Sequence, residues 1–212
     1  ERKPETLSGI RGVAFRDENK GRDVVHTGWR ELMDLSKVPF AYSNLTEFKN
    51  RIIYYESSRG CPFSCSYCLS SIDKKLRFRD IELVKKELQF FIDNKVPQVK
   101  FVDRTFNCKH DHAMEIWRYI TENDNGITNF HFEISADLLR AEELALMKTM
   151  RPGLIQLEIG VQSTNPQTIK AIRRTMDFEK LKGIVEQIHS FGNIHQHLDL
   201  IAGLPYEDYD SF

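Results

Sequence analysis

The sequence predicts an α/β fold built from at least five βα units with parallel strands. From residue 51 onward, short β-type runs alternate with segments of helical spacing. Strands separated by helices form right-handed crossovers in a parallel sheet. The residues that look chemical follow the strands, at the carboxyl ends where such sheets bind ligands. A hairpin and an irregular linker precede the repeat, over residues 1–50.

The strand predictions rest on β-branched and aromatic runs that are bounded by turn-forming residues. Two such runs flank a polar turn and predict the N-terminal hairpin, at residues 12–16 and 23–26. An irregular apolar segment at 32–42 then predicts a linker packed over the main domain. The five strands of the repeat are predicted at residues 51–56, 99–103, 129–134, 154–160 and 197–201.

The helix predictions rest on apolar residues that recur every three or four positions. Asp80 and Asp177 are placed to cap two helices, and Asn165 followed by Pro166 opens another. The predicted helices cover residues 80–94, 110–123, 141–150, a stretch from 165 and 177–191, and a further helix is expected to begin at 206.

Length and composition indicate an ordinary globular protein of one main domain. With 212 residues, 41% of them hydrophobic and 29% charged, the chain can bury a sizeable core. A formal net charge of −1 gives no general attraction to nucleic acid, and no apolar run approaches membrane-spanning length. We expect a reducing, cytoplasmic setting, because three of the four cysteines are clustered.

Cys61, Cys65 and Cys68 form a C-x3-C-x2-C motif within residues 60–68. Three thiolates at this spacing can hold three irons of a [4Fe–4S] cluster and leave one iron open to a small molecule. A zinc site and unrelated cysteines are the alternatives, although structural zinc usually takes four N or S ligands. A disulfide framework fits poorly, because the chain is neither small nor recognisably secreted.

The motif resembles the signature of the radical S-adenosylmethionine (SAM) enzymes, and residues 51–212 resemble the first five units of their partial (β/α)6 barrel. The resemblance implies that the three cysteines bind a [4Fe–4S] cluster whose open iron binds SAM. One electron would then cleave SAM to a 5′-deoxyadenosyl radical, which attacks a C–H bond of a small-molecule substrate. The resemblance also implies an external electron donor of the flavodoxin or ferredoxin type.

Further segments carry the same resemblance. Tyr67 resembles the aromatic residue before the last cysteine, where the family's backbone approaches the adenine. Residues 158–163 resemble a fourth-strand segment of the coproporphyrinogen-type members. Residues 200–207 resemble the fifth-strand segment that lines the adenine, and they include Ile201 and Gly203. The Gly-Gly-Glu-Pro motif that often holds the SAM amino group is absent, and Asp-Arg-Thr-Phe-Asn stands in its place.

Residues 56–71 resemble the cobalamin-binding subgroup, which includes the anaerobic magnesium-protoporphyrin ester cyclases. There a cobalamin domain precedes the barrel, and residues 6–45 resemble the segment that joins the two. The cobalamin fingerprint Asp-x-His-x-x-Gly does not occur in the sequence. We therefore expect a fragment: residues 1–50 would follow a missing domain that could bind cobalamin, and residues 51–212 would be a barrel truncated at its C-terminus.

Polar residues at the strand ends are the candidates for contacts with SAM. Asp103 could bind the SAM ammonium group or a substrate, or it could cap the following turn. Glu133 and Ser135 share one face of the third strand with Asp137. A carboxylate there could accept hydrogen bonds from the ribose hydroxyls or the ammonium group, or it could form a surface ion pair with Arg140.

Glu158 and Gln162 point into the barrel together with Gly160, if Leu157 and Ile159 face the helices. A buried carboxylate needs partners, so a cofactor site and a structural ion pair are both open for Glu158. No residue is assigned as catalytic.

Several other polar residues are interpreted as structural. The spacing of Cys108, His110 and His112 suggests a metal site as one interpretation. However, a helix that starts near Asp111 would make their side chains diverge, so a solvated helix start is the favoured interpretation. His195 and His197 alternate along a strand, so both could face the interior. Basic residues at helical spacing are expected to form a solvated helix face, namely Lys170, Arg173 and Arg174.

Two other functions stay open at this level. An isolated iron–sulfur or zinc-binding module would carry the cysteine motif without SAM chemistry. A methylthiotransferase acting on tRNA or protein would usually have an N-terminal domain with three more cysteines and a C-terminal RNA-binding domain, and this sequence contains neither.

Overall fold

The computed structural model describes residues 7–18, 21–49, 51–72 and 74–212, which fall into two compact units. The first unit, Glu1–Asp34, holds strands β1 (Ala14–Asp17) and β2 (Asp23–His26), which pair antiparallel. The predicted hairpin is therefore confirmed, although part of its turn, residues 19 and 20, lies outside the described residues.

The second unit, Leu35–Phe212, is built on a parallel sheet of five strands. The predicted α/β fold with parallel strands is confirmed, and each predicted strand coincides with an observed one to within a few residues. The strands lie in the order β3, β6, β7, β8 and β9, which cover Ile53–Tyr55, Gln98–Phe101, Asn129–Ile134, Ile155–Gln162 and His195–Leu200.

Helices cross over between consecutive strands, and side chains cap three of them where the sequence predicts. Asp80 accepts from two backbone N–H groups of the first helix, Asn165 does the same for the fourth, and Asp177 caps the fifth. The segment from Tyr206 to Phe212 forms turns, so the helix predicted there is wrong. The helices are α1 (Ile81–Asp93), α2 (His110–Glu122), α3 (Ala141–Thr149), α4 (Pro166–Ala171) and α5 (Phe178–Phe191).

The two faces of the sheet differ sharply in polarity. Alternate residues such as Val99, Phe101 and Phe132 point toward the helices and are fully buried. Trp117 of α2 packs against Phe132 from the helix side, with ring centroids 6.0 Å apart. The opposite, concave face of the sheet carries charged residues instead. The apolar face therefore forms the core, and the concave face is available to a ligand.

Within the second unit, residues 35–48 precede β3 and pack against α1. Phe40 and Tyr42 place their rings against Phe91 of α1, at centroid distances of 5.5 and 5.6 Å. The buried Arg79 guanidinium donates to the Leu35 carbonyl. Residues 35–48 therefore group with the sheet, as expected for a packed linker, while a domain preceding residues 1–50 stays a prediction.

No helix among the described residues is long and apolar enough to cross a bilayer.

Candidate active site

The cysteine motif lies on a loop that directly follows β3. Two short strands, β4 (Ser58–Arg59) and β5 (Arg77–Phe78), pair antiparallel and hold the ends of the loop together. Inside it, Cys61 and Cys65 are only 8% and 7% exposed, and Cys68 is half-buried. The Ser66 N–H donates to the Ile172 carbonyl at 2.9 Å, which ties the loop to the chain that follows α4.

The three cysteines line one cavity of about 240 Å³ at the carboxyl end of the sheet. Its other walls come from the ends of four strands and from the segment after α4. Of the eight residues predicted as cofactor or substrate contacts, Asp103, Ile201 and Gly203 do not line this cavity. The other five do, namely Tyr67, Glu133, Ser135, Glu158 and Gln162. Polar residues that were not predicted as ligand contacts join them there, chiefly Arg104, Arg174 and Asp199.

Arg174 reaches the cavity from the segment after α4. One guanidinium nitrogen donates to the Gly160 carbonyl and another donates to the Tyr67 hydroxyl at 3.3 Å. Its Nε is buried and has no hydrogen-bond partner among the described residues. The predicted solvated helix face is wrong for Arg174, because α4 ends at Ala171 and Arg173, with φ of 54°, turns the chain back toward the strands.

Gln162 lies at an irregularity in β8, where the pairing with β9 shifts between Gly160 and Gln162. It adopts φ of 71°, a strained value for a residue with a side chain. A Cβ at Gly160 would lie 2.3 Å from the Gln162 amide nitrogen, so a larger residue there would force the Gln162 side chain to move. The predicted alternation is confirmed, because Leu157 and Ile159 are buried while Glu158, Gly160 and Gln162 line the cavity.

Charged residues of three neighbouring strands meet on the concave face. The Lys100 ammonium is 2.8 Å from Glu158 Oε2 and 4.0 Å from Glu133 Oε1. His131 Nε2 lies 3.0 Å from the same Glu158 oxygen. The ion pair that was one interpretation of Glu158 is therefore present, and Glu158 also lines the cavity, while its contact with a cofactor stays a prediction.

The pKa values of Glu133 and Glu158 are shifted in opposite directions. Burial, and then the charge of Glu158, raises the pKa of Glu133 above its usual range. Burial acts in the same direction on Glu158, but the hydrogen bond and charge of Lys100 outweigh it and lower the pKa of Glu158 overall. Burial and the nearby Lys100 charge lower the pKa of His131.

Asp103 is fully buried behind the cysteine loop and does not line the cavity. It accepts hydrogen bonds from the Ser57 N–H at 3.0 Å, the Ser57 hydroxyl at 2.7 Å and the Ser58 hydroxyl at 2.6 Å. His112 Nε2 lies 3.0 Å from the same Ser57 hydroxyl. Since both carboxylate oxygens are occupied, Asp103 fixes the chain that leads into the cysteine loop.

This burial makes stability depend on pH. It raises the pKa of Asp103 to about 6, above its ordinary value near 3.9. The fold therefore binds the proton more tightly than the unfolded chain, and the resulting stabilisation, full below pH 4, is lost as pH rises through 6. Relative to Asp103→Asn, which cannot titrate, the wild-type free energy of unfolding should fall by about 2 kcal/mol between pH 4.5 and pH 7.5. Urea unfolding of cluster-free protein would measure this, and the exposed Asp93→Asn should show no such change.

Ile201 and Gly203 lie beyond the cavity lining. The Ile201 N–H donates to the Gln162 carbonyl at 2.9 Å, which continues the pairing of β9 with β8. Gly203 is exposed with φ of 85°, so its turn favours glycine. Asp199, two residues before Ile201, lines the cavity instead. Contacts of Ile201 and Gly203 with adenine stay a prediction.

Cys108, His110 and His112 diverge as expected. His110 turns to α3, where its Nδ1 lies 2.9 Å from Glu143, and His112 turns to Ser57. The predicted solvated helix start is wrong for His112, which is only 6% exposed. Burial lowers its pKa to about 4, so His112 is neutral at physiological pH.

The donor set of the loop fits a [4Fe–4S] cluster. Its three thiols line one cavity, and Cys108, the remaining cysteine, does not. Burial raises the pKa of Cys108 to about 11, which disfavours the thiolate that a metal requires. Among the described residues, no three His, Cys, Asp or Glu side chains are grouped tightly enough for a single metal ion. Ligands of a cubane cluster bind different irons, so they need not converge on one point.

Residues 55–212 match the radical SAM superfamily. The chain belongs to this superfamily. Two relatives of the radical SAM chain are named as methyltransferases. Uncharacterized methyltransferase PH0819 of Pyrococcus horikoshii is 23% identical over 208 residues, which cover 95% of this chain and 44% of that protein. The 2-(S-pantetheinyl)-carbapenam-3-carboxylate methyltransferase of Streptantibioticus cattleyicolor is 27% identical over 166 residues, 74% of this chain and 24% of that protein.

A solved radical SAM structure has the same fold. The methyltransferase TsrM from Kitasatospora setae, with cobalamin and a [4Fe–4S] cluster bound, superposes with a TM-score of 0.75 at 17% identity. The match covers 96% of this chain and 44% of that chain, so the predicted partial radical SAM barrel is confirmed as the fold. The radical SAM chain described here spans less than half the length of these three proteins.

Proposed function

We propose that this chain is the core of a radical SAM enzyme that binds a [4Fe–4S] cluster and cleaves SAM reductively. The observation that carries the proposal is the single cavity lined by all three motif cysteines, three carboxylates and two arginines. A cluster held by three thiolates would leave one iron facing this cavity. When bound and reduced, the cluster supplies the electron that breaks a carbon–sulfur bond of SAM.

The chain's own residues provide the contacts that such a ligand needs. Arg174, with its unpaired Nε, suits the SAM carboxylate, because guanidinium groups bind carboxylates through two parallel hydrogen bonds. Glu133 suits the ammonium group or the ribose hydroxyls as an acceptor. The phenol of Tyr67 is held by Arg174, which fixes the loop backbone at the proposed adenine contact. Burial of the site strengthens each of these electrostatic contacts.

We also propose, for the whole protein, a small-molecule substrate and an external reductant of the flavodoxin or ferredoxin type. A cytoplasmic location agrees with the clustered cysteines. The cobalamin bound in the TsrM structure supports a proposal that cobalamin takes part in the reaction. It would be bound by a domain outside the present sequence. A methyl transfer would fit the names of the relatives, while the substrate stays open.

Anaerobic reconstitution of the full-length protein with iron and sulfide tests the core proposal. We expect about four irons and four sulfides per chain, and production of 5′-deoxyadenosine from SAM after reduction with dithionite. Cys61→Ala should abolish both, whereas the matched variant Cys108→Ala, outside the cavity, should retain them. One zinc per chain without iron would favour a simple metal-binding module. An intact cluster with no product above the Cys61→Ala level would contradict the proposal.

A further inference from the structure

We propose that Lys100 is a positioning residue that holds Glu158 in a closed ion pair and so leaves Glu133 as the carboxylate that meets SAM. This inference rests on the proposed function and deepens it. It assigns different roles to two carboxylates that line the same cavity. Lys100 itself does not line the cavity and acts only through Glu158 and Glu133.

The sheet register forces the two carboxylates together. Glu133 of β7 is the direct pairing partner of Glu158 on β8, and both point to the concave face. Like charges placed side by side across two strands repel and destabilise the pairing. Some cation must therefore compensate two glutamates that are only 27% and 28% exposed.

Lys100 is that cation, and it lies closer to Glu158 than to Glu133. Its ammonium group is within hydrogen-bond distance of Glu158 at 2.8 Å, whereas Glu133 is 4.0 Å away. His131 Nε2 lies 3.0 Å from the same Glu158 oxygen, although it has no hydrogen-bond partner among the described residues. Glu158 is therefore held by Lys100, while Glu133 keeps its acceptor capacity for a ligand. The opposite pKa directions of the two glutamates agree with this division.

Other charged or titratable groups face this pair from each strand that packs against it. Arg104 follows β6 and acts on Glu133 as a more distant positive charge. Asp199 of β9 adds a negative charge near Glu133, so β9 offers no compensation there. The groups that face the pair are Tyr54, Lys100, Arg104, His131, His197 and Asp199.

Removal of Lys100 should couple the two glutamates. In Lys100→Met they would share a proton, because two adjacent carboxylates cannot both ionise readily, and one pKa rises strongly. SAM would then compete with that proton. Relative to wild type, SAM should bind to Lys100→Met about tenfold more weakly at pH 6 than at pH 8. Lys100→Arg should restore the wild-type ratio.

Isothermal titration of SAM into the anaerobic, cluster-loaded protein at pH 6, 7 and 8 would measure this ratio. Taking the variant relative to wild type at each pH cancels the titration of SAM's own amino group. The double variant Lys100→Met/Glu158→Gln removes one of the coupled carboxylates, so its pH dependence should return to that of wild type. Lys85→Met is the matched control, because Lys85 forms a comparable ion pair with Glu115 at 2.8 Å but lies outside the cavity.

A second readout needs no ligand. In SAM-free protein, the coupled pair should make Lys100→Met less stable at pH 8 than at pH 6 relative to wild type, and the double variant should lose this difference. The inference would be overturned if Lys100→Met bound SAM as tightly as wild type and showed the same ratio of affinities between pH 6 and pH 8. A loss of SAM affinity that persists in the double variant would also overturn it, because such a loss would show that Lys100 has only a structural role. If the wild type fails to bind SAM, the proposed function fails, and the ligand-free measurement still decides the role of Lys100.

Discussion

Replacing Arg174 by methionine should weaken SAM binding by about 30-fold. A hydrogen-bonded contact between charged groups contributes about 2 kcal/mol, and each 1.4 kcal/mol is a factor of ten in affinity. Arg174 is suited to such a contact, because its Nε is buried in the cavity wall with no partner among the described residues. Methionine keeps most of the apolar stem, so the packing of the side chain should change little. Titration of SAM into cluster-loaded protein would measure the effect.

Two comparisons separate a contact with the ligand from a structural role. Arg174 also holds the Gly160 carbonyl and the Tyr67 hydroxyl, so its removal could disturb the cavity itself. 5′-Methylthioadenosine lacks the carboxylate of SAM, and its affinity should therefore be nearly unchanged in Arg174→Met. An equal loss for both ligands would show that Arg174 acts by shaping the site. The adjacent, exposed Arg173→Met should leave both affinities as in wild type.

Replacing Asp103 by alanine should lower the free energy of unfolding by about 3 kcal/mol at pH 7.5. The carboxylate is fully buried, and it accepts from one backbone N–H and two hydroxyl groups. Alanine would leave these donors without an acceptor, and a buried unsatisfied donor is costly. Asparagine keeps one oxygen for the Ser57 N–H, so Asp103→Asn should cost about half as much. Urea unfolding of cluster-free protein would measure both variants.

The same substitution should also shorten the lifetime of the cluster. Ser57 and Ser58 lead directly into the cysteine loop, and Asp103 is the group that fixes both of them. The decay of iron–sulfur absorbance in the presence of a chelator should therefore be several-fold faster in Asp103→Ala. The exposed Asp93→Ala provides the control for both measurements. Loss of stability with an unchanged cluster lifetime would mean that the network does not hold the loop.

Much of the fold could be predicted because it follows from local rules. Alternation along β8 placed Glu158 and Gln162 on the concave face, since neighbouring residues of a strand point in opposite directions. Capping chemistry located the first turns of α1, α4 and α5. The helix predicted from Tyr206 failed, because those residues form a succession of turns instead.

The parts of the site that the sequence did not yield depend on non-local geometry. Arg174 and Arg173 look alike by helical spacing, but the early end of α4 turns one into the cavity and the other to solvent. Asp103 ends a strand as a ligand-binding residue would, yet its burial depends on two serines 45 and 46 positions away. No pattern in the sequence distinguishes these outcomes. Asp199 could have been predicted from His197, because residues two positions apart on a strand point to the same face of the sheet.

The pairing of β4 with β5 has a consequence for how the protein could acquire its metal. It joins Ser58 to Phe78 and Arg59 to Arg77, so the two ends of the cysteine loop are held side by side. Closing a free segment of about 17 residues costs on the order of 2.5 kcal/mol in chain entropy. The pairing of β4 with β5 offsets part of that cost, which raises the effective concentration of the thiols around one another. A loop whose ends are paired by its own strands therefore leaves less chain entropy for metal binding to offset than an open segment would.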